Sequence, residues 1–361
     1  TPDTEEAWRN VVFVAKQLGR DERAAEVLEE VGERFPDSAW IARERGVLLH
    51  AAGDHEGAIA AYRRSLMLEP ADFEVNFNLA LALQEIGRSE EALPYARQAA
   101  ELSPEDPMID DNLAWVLIET GREDEALQRL DARVNAAPSD ARAYANRGVA
   151  LLRIGRTEEA LASFQRASAL EPFAPEHVYN TGVALESLGR FDEALTEYDR
   201  VVALDDTFVD AHRDRGLLLD SLDRHDEALA AIERALELAP DGARLYCARA
   251  GIRQRGGDDA SALSDWDRAL ELDPGLEAVV RSNRGPSLLR LRRYADALAD
   301  FERAMELGFE DSWLRLQQGL ALEALDRRDE ARAGPQAAVA AGAGGAGGGG
   351  GGGGPAEPGG G

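Results

Sequence analysis

A step of 34 residues carries Ala160 back onto Ala126, Ala92, Ala58 and Ala24 and forward onto Ala194, Ala228 and Ala262. The same step carries Pro172 onto Pro138, Pro104, Pro70 and Pro36 in one direction and onto Asp206, Pro240 and Pro274 in the other. From Gly155 it finds Gly121, Gly87, Gly53 and Gly19, then Gly189, Asp223 and Gly257. Three residue types held to one period are not a composition effect. Such a period marks a solenoid, in which each unit buries its apolar face only against its neighbours. The usual step from 361 residues to two globular domains therefore does not apply, and one elongated domain is expected.

Within one unit, Asp140 to Pro172 spells helix, turn, helix. Tyr144, Gly148, Leu151 and Leu152 recur at helical spacing, Gly155 interrupts them, and Ala160, Leu161, Phe164, Ala167 and Leu170 resume the pattern. Asp140 and Thr157 are expected N-caps, because short polar side chains accept from the unpaired N–H groups of a first turn. Gly155 suits the left-handed residue that closes a helix, and Pro172 stops the second one.

Position eight of the unit is small in Gly46, Ala80, Ala114, Gly148, Gly182, Gly216 and Ala250; positions twenty and twenty-seven favour alanine, twenty-four an aromatic or aliphatic residue, and thirty-two proline. From residue 5 to about 331 this pattern resembles the tetratricopeptide repeat family. The resemblance implies an all-α, right-handed superhelical solenoid of antiparallel helix pairs, A and B, with the A helices lining a concave groove that holds peptides or partner helices. Small residues are expected where helix A is crossed by helix B of its own repeat. Tyr62, Phe164, Tyr198, Trp266 and Phe301 are expected to fill the seam between one repeat and the next.

Residues 1–333 read as nine full repeats and a partial tenth, and 334–361 as a tail or linker of glycine and alanine that has too few side chains to repay its ordering entropy. The first repeat has Val12 and Val31 where small residues are the rule. Pro94, near the start of a helix B, is tolerable there. The ninth repeat has its alanine, Ala297, one residue late, and Pro286 inside helix A predicts a kink or a displaced first turn. In the tenth, Gly334-Pro335 interrupts helix B, which is expected to leave Trp313, Leu316, Leu320 and Leu325 poorly covered and open to self-association.

The net charge of -28 argues against a nucleic-acid groove, which needs a basic stripe. No apolar run reaches the ~18 residues of a membrane span. Cys247 is the single cysteine, so an internal disulfide and a Cys-based zinc cage are excluded. Lys16 is the one lysine among 40 basic residues, a bias in keeping with a GC-rich bacterial genome; a cytoplasmic location is favoured over a periplasmic one. The opening Thr1-Pro2 is consistent with a removed leader or an upstream segment. His50, His55, His177, His212 and His225 follow neither H-x-x-x-H nor H-E-x-x-H, and neither a metal site nor a cofactor is expected. No nucleophile elbow or phosphate loop is present; Gly342, Gly344 and Gly347 match G-x-G-x-x-G only within low complexity. The chain reads as no enzyme.

Function is then sought on the A helices. Position six repeats an amide in Asn10, Asn78, Asn112, Asn146, Asn180 and Asn283, with Asn78, Asn112, Asn146 and Asn180 as the four candidate contacts. Such a row can hold a peptide backbone, and it resembles the asparagine ladder in the repeat half of O-linked N-acetylglucosamine transferases. Asparagine at this position also bonds between neighbouring repeats. The carboxylate clamp of chaperone-binding members is lacking, the corresponding positions including Leu81, Trp115, Val149, Val183 and Leu217. Glu74, Glu85, Asp111, Glu119, Glu176, Glu186, Asp210, Asp214 and Asp220 outnumber Arg142, Arg153 and Arg213, so the middle of the groove is expected to be acidic, with Phe77, Trp115 and Tyr179 as apolar anchors. The expected partner is a protein segment, basic with a few apolar side chains. Two alternatives are a substrate-presenting arm of a larger glycosyltransferase- or kinase-type enzyme and a self-assembling scaffold.

Overall fold

The computed structural model describes residues 4–309 and 311–331. Helices alternate throughout: α1 (Glu5–Gln17) and α2 (Asp21–Arg34), α3 (Ala39–Ala51) and α4 (His55–Leu68), α5 (Phe73–Glu85) and α6 (Ser89–Leu102), α7 (Pro107–Glu119) and α8 (Glu123–Ala136), α9 (Ala141–Arg153) and α10 (Thr157–Leu170), α11 (Pro175–Ser187) and α12 (Phe191–Leu204), α13 (Val209–Ser221) and α14 (His225–Leu238), α15 (Ala243–Arg255) and α16 (Asp259–Leu272), α17 (Glu277–Arg290) and α18 (Tyr294–Glu306), then α19 (Ser312–Ala324). Odd numbers are A helices and even numbers B helices. There is no strand among the described residues, and no helix among them is long and apolar enough to cross a membrane. The chain divides into two compact units, Thr1–Ala194 and Leu195–Gly361, built in the same way.

Local chemistry explains the boundaries. Among the A helices, α1, α3, α5, α7, α9 and α19 start on short acceptors, as where Asp72 accepts from the Val75 amide at 3.1 Å, Asp140 from Ala143 at 3.3 Å and Ser38 from Ile41 at 3.3 Å. Ala174, Phe208, Gly242 and Leu276 precede α11, α13, α15 and α17 without a side-chain cap. Most of the B helices start differently, on an arginine, and the expected Thr157 cap is corrected. Thr157 is the first helical residue, and Arg156 holds the cap position without capping through its side chain. Its guanidinium instead grips Glu159 with two bonds of 2.7 Å, which holds that carboxyl below its usual range; Arg88–Glu91, Arg190–Glu193 and Arg224–Glu227 repeat the device. The helix starts one residue earlier than expected, so the cap position falls at residue 156; in α4 and α16 the same place is held by Asp54 and Asp258, which accept from the Gly57 and Ser261 amides. The preceding turn is closed by backbone bonds, Gly155 N–H to Leu152 O (3.1 Å) and Arg156 N–H to Leu151 O (2.9 Å).

That closure needs a left-handed residue, and Gly155 has φ +79°. Arg292 occupies the same place in the ninth repeat at φ 60°. A Cβ there is strained, so Arg292→Gly should raise stability by roughly 1 kcal/mol, net of the entropy glycine adds to the unfolded chain. A urea midpoint that stays put or falls would contradict this.

Packing runs between sequence neighbours within each unit, A on B and B on the next A. The small residue at position eight lies against position twenty-four of its own repeat: a Cβ on Gly148 would stand 2.5 Å from the Phe164 ring, and one on Gly46 2.5 Å from the Tyr62 ring. Tyr62, Phe164 and Phe301, expected between repeats, also fill the A/B crossing inside their own repeat; Phe301 shares a buried cluster with Leu314 and Ala321 of the following helix. Trp266 joins a buried cluster with Ala250 and Ala269 that reaches Val280 of the following repeat.

In the ninth repeat, where Pro286 predicts a kink or a displaced first turn, α17 runs through the proline as one helix, directly preceded by a 3-10 turn, Pro274–Leu276. Gln254 of α15 supports the helix around Pro286, donating Nε2–H to the Asn283 carbonyl and to Ser287 Oγ, both at 2.9 Å. The extra residue is absorbed ahead of Gly285, which again faces Phe301. Beyond it, α19 buries Leu314, Ala321 and Leu322 and exposes Trp313, Leu316 and Leu320, with Leu325 half-buried. Residues 328–331 are helical, and the expected interruption at Gly334-Pro335 and the tail over 334–361 lie outside the described residues.

Candidate functional site

In the first unit the A helices α3, α5, α7, α9 and α11 also touch one another in succession. Where they meet, side chains pair by a step of 35 residues, the repeat plus one. Asn146 Nδ2–H donates to Asp111 Oδ2 at 2.6 Å, Gln84 Nε2–H to Glu119 at 3.0 Å, and His50 Nε2 lies 2.5 Å from Glu85. These bonds decide what the predicted residues offer a partner.

Of the four amides, Asn112 is 5% exposed and donates to Gln84 Oε1 at 2.6 Å. Asn146 is taken by Asp111, while Asn78 and Asn180 are half-buried on α5 and α11. The structure therefore spends the middle of the ladder on joining repeats. Asp111 is 7% exposed and ion-paired with Arg133 of α8, an internal brace and no surface acid. Other members of the acidic set are paired as well: Glu74 meets Arg43 at 3.2 Å, Asp210 and Asp214 meet Arg213 at 2.5 and 2.7 Å, and buried Asp220 is held by Arg255. Glu119 and Glu176 are exposed and Glu186 is half-buried. Phe77, Trp115 and Tyr179 are all half-buried; over Trp115 lies the Arg153 guanidinium, 5.3 Å from the ring centroid and 3.7 Å from Glu119.

One recurring corner escaped the sequence reading. It joins position twelve of helix A, the first residue of the same repeat's helix B, and position thirteen of the next helix A. In the third repeat Gln84 and Ser89 both donate to Glu119, at 3.0 and 2.7 Å. In the seventh, Asp220 pairs with His225 Nδ1 at 2.8 Å and with Arg255. In the eighth, Asp259 takes Arg290 through bonds of 2.8 and 2.6 Å. In the second repeat the corner is His50, His55 and Glu85, whose ligand atoms lie within 4.8 Å of one another. These three, with Val47, Ala51, Tyr62 and Asn78, line a recess of about 360 Å³. Burial, and behind it Glu44 and Glu85, push the Tyr62 hydroxyl well above its usual range, so it lines the recess as a neutral phenol. A larger recess of about 630 Å³ lies at the α4–α5 connection, where Arg43 is already held by Asp72 (3.5 Å) and Glu74 (3.2 Å).

Comparison with known proteins fits this architecture. Family models described as tetratricopeptide repeats match residues 13–38, 46–87, 87–148, 146–207 and 209–241. Protein STIP1 homolog of Dictyostelium discoideum is 39% identical over 82 residues, 23% of this chain and 14% of that protein. Human Tetratricopeptide repeat protein 36 is 45% identical over 75 residues, 20% of this chain and 39% of that one. The chain thus spans well under two thirds of either relative. Among solved structures, a tetratricopeptide repeat protein from Parabacteroides merdae aligns at a TM-score of 0.51 and 20% identity, covering 69% of this chain and 98% of its own, a likeness of fold.

Proposed function

The chain belongs to the tetratricopeptide repeat family, and from that premise we propose that it is a non-catalytic scaffold holding a partner segment on the A-helix face of α5, α7, α9 and α11. Proteins of this family bind protein partners. The observation that carries the finer reading is the group Trp115, Arg153 and Glu119. Helices α5, α7 and α11 carry no lysine or arginine; Glu74, Asp110 and Asp111 are met by Arg43, Arg129 and Arg133, which leaves Glu85, Glu119, Glu176 and Glu186 to set the sign of the face, while α9 sets Arg153 across the face of Trp115. Half-buried aromatics supply most of the binding energy in such interfaces, and rim charges set encounter and choice. A basic side chain from a partner can take the place of Arg153 over the ring and at Glu119, with Phe77 and Tyr179 as flanking contacts and Asn78 and Asn180 toward the backbone. The partner is therefore a peptide or helix that is basic with apolar anchors, held more weakly as salt rises.

Panning a random peptide library against the chain tests this. Enrichment of Lys- or Arg-containing sequences with apolar residues is expected, and Trp115→Ala or Glu119→Arg should weaken the selected peptides by tenfold or more, while Arg153→Ala tightens them. Peptides that bind all three variants like the parent would overturn the assignment of this face.

A further inference from the structure

We propose that the corner of His50, His55 and Glu85 is a divalent-cation site that takes Zn2+ through two imidazole nitrogens and one carboxylate, clamping the second repeat to the third. Two ring nitrogens converge on a single oxygen: Glu85 Oε2 lies 2.5 Å from His50 Nε2 and 3.0 Å from His55 Nδ1. One proton can satisfy the first of these contacts. It leaves the second unresolved, for His55 Nδ1 is shut off from solvent and, despite the short separation, makes no hydrogen bond of acceptable geometry. A cation bridging the three atoms satisfies all of them.

The geometry is close to what an ion needs. With Zn–N and Zn–O lengths of about 2.0–2.1 Å, ligand atoms on a tetrahedron stand roughly 3.3 Å apart, so Glu85 must withdraw by less than about 1 Å and the two ring nitrogens, which lie within 4.8 Å of each other, must settle at that separation. The Glu85 side chain is half-exposed at the end of α5 and has room to withdraw. Two imidazoles on one such ion place their centroids roughly 5 Å apart; here they are 5.6 Å apart at 72°, and the Tyr62 ring stands edge-on to His50 at 6.4 Å. Two nitrogens and one oxygen favour zinc, nickel or copper, whereas magnesium and calcium prefer oxygen alone. The fourth position falls to water in the recess beside Asn78.

The other corners explain why the site is here. In the seventh repeat the same three places hold Asp220, His225 and Arg255, and a guanidinium supplies the positive charge. In the third, two neutral donors converge on Glu119. The second repeat has three metal-binding side chains at these places and no cationic side chain among them. Its ligands come from the end of α3, the first residue of α4 and the last of α5, so the ion ties an A/B turn to the next A helix.

The test is a Zn2+ titration of the full chain, chelator-stripped and freed of any histidine tag, by calorimetry, together with the visible spectrum of the Co2+ form. One equivalent of Zn2+, a raised melting temperature and tetrahedral-type Co2+ bands are expected. Glu85→Gln and His55→Gln should each weaken binding at least about tenfold, with unchanged circular dichroism; His225→Gln, at the corresponding place in the seventh repeat, should bind as the parent does. No saturable uptake at millimolar Zn2+, or equal losses in His225→Gln and the corner variants, would overturn the proposal.

Discussion

Gly148→Leu is expected to destabilise the chain by about 3 kcal/mol, the upper part of what overpacking costs. The first added carbon already stands 2.5, 2.6 and 2.9 Å from three atoms of the Phe164 ring. That ring is 1% exposed, so it cannot swing into solvent, and the two helices must separate. Even Gly148→Ala should destabilise, which makes the sign informative. In a helix interior alanine is worth about 1 kcal/mol more than glycine, and only a steric clash reverses that. Gly251 of α15 provides the contrast, since a Cβ there meets nothing nearer than the Arg255 guanidinium at 3.6 Å. Gly251→Ala should therefore stabilise by roughly 0.5–1 kcal/mol. Urea melts of the three variants decide the matter: if Gly148→Ala and Gly251→Ala shift the midpoint the same way, the close crossing is not what selects glycine at position eight.

The period, the helix pairs and the small residue at position eight were legible in the sequence because each depends on residue identity at a fixed place. Gly155 does a job that recurs in repeat after repeat, so it shows as a column, Gly19 to Gly189 and Gly257, broken at Asp223 and Arg292; the cap at Asp140 recurs at Asp72 and Asp106. Thr157 misled because helix B begins one residue earlier than its capping chemistry suggested, which places Thr157 inside the first turn and Arg156 at the cap. Pro286 leaves α17 unbroken, and Gln254 reaches from the neighbouring helix to the Asn283 carbonyl and Ser287 Oγ around it. The corner was hidden for a different reason. Its geometry repeats while its chemistry changes, from His50, His55 and Glu85 to Gln84, Ser89 and Glu119 to Asp220, His225 and Arg255. No column of identical residues marks it, and the contact step of 35 differs from the period of 34 that draws the eye. For the same reason Asp111 could be counted among the surface acids: in a chain with 68 carboxylates, the one that meets Arg133 in the interior looks like any other.

The second large effect concerns such an interior charge. Asp300 is 2% exposed and accepts from Arg284 twice, at 2.7 Å from both Nε and Nη2, and from Arg281 at 2.8 Å. Arg284 sits beside Gly285 and Asp300 beside Phe301, so the ion pair flanks the same crossing that the small residue makes possible; Arg249 and Asp265 do likewise in the eighth repeat, at 2.9 and 2.6 Å. Arg284→Met should cost about 3 kcal/mol, because it strands a buried carboxylate, and the low end of the usual 3–5 applies since Arg281 remains. Asp267, the other partner of Arg284, is largely exposed and loses little. Adding Asp300→Leu removes the stranded charge and leaves Arg281 paired with Glu277 at 2.8 Å. The double variant should therefore be more stable than Arg284→Met alone, recovering most of the loss in a urea melt. A double variant weaker than the single one would mean that the pair contributes net stability of its own. A single variant within about 0.5 kcal/mol of the parent would mean that Asp300 is not held as a buried charge at all.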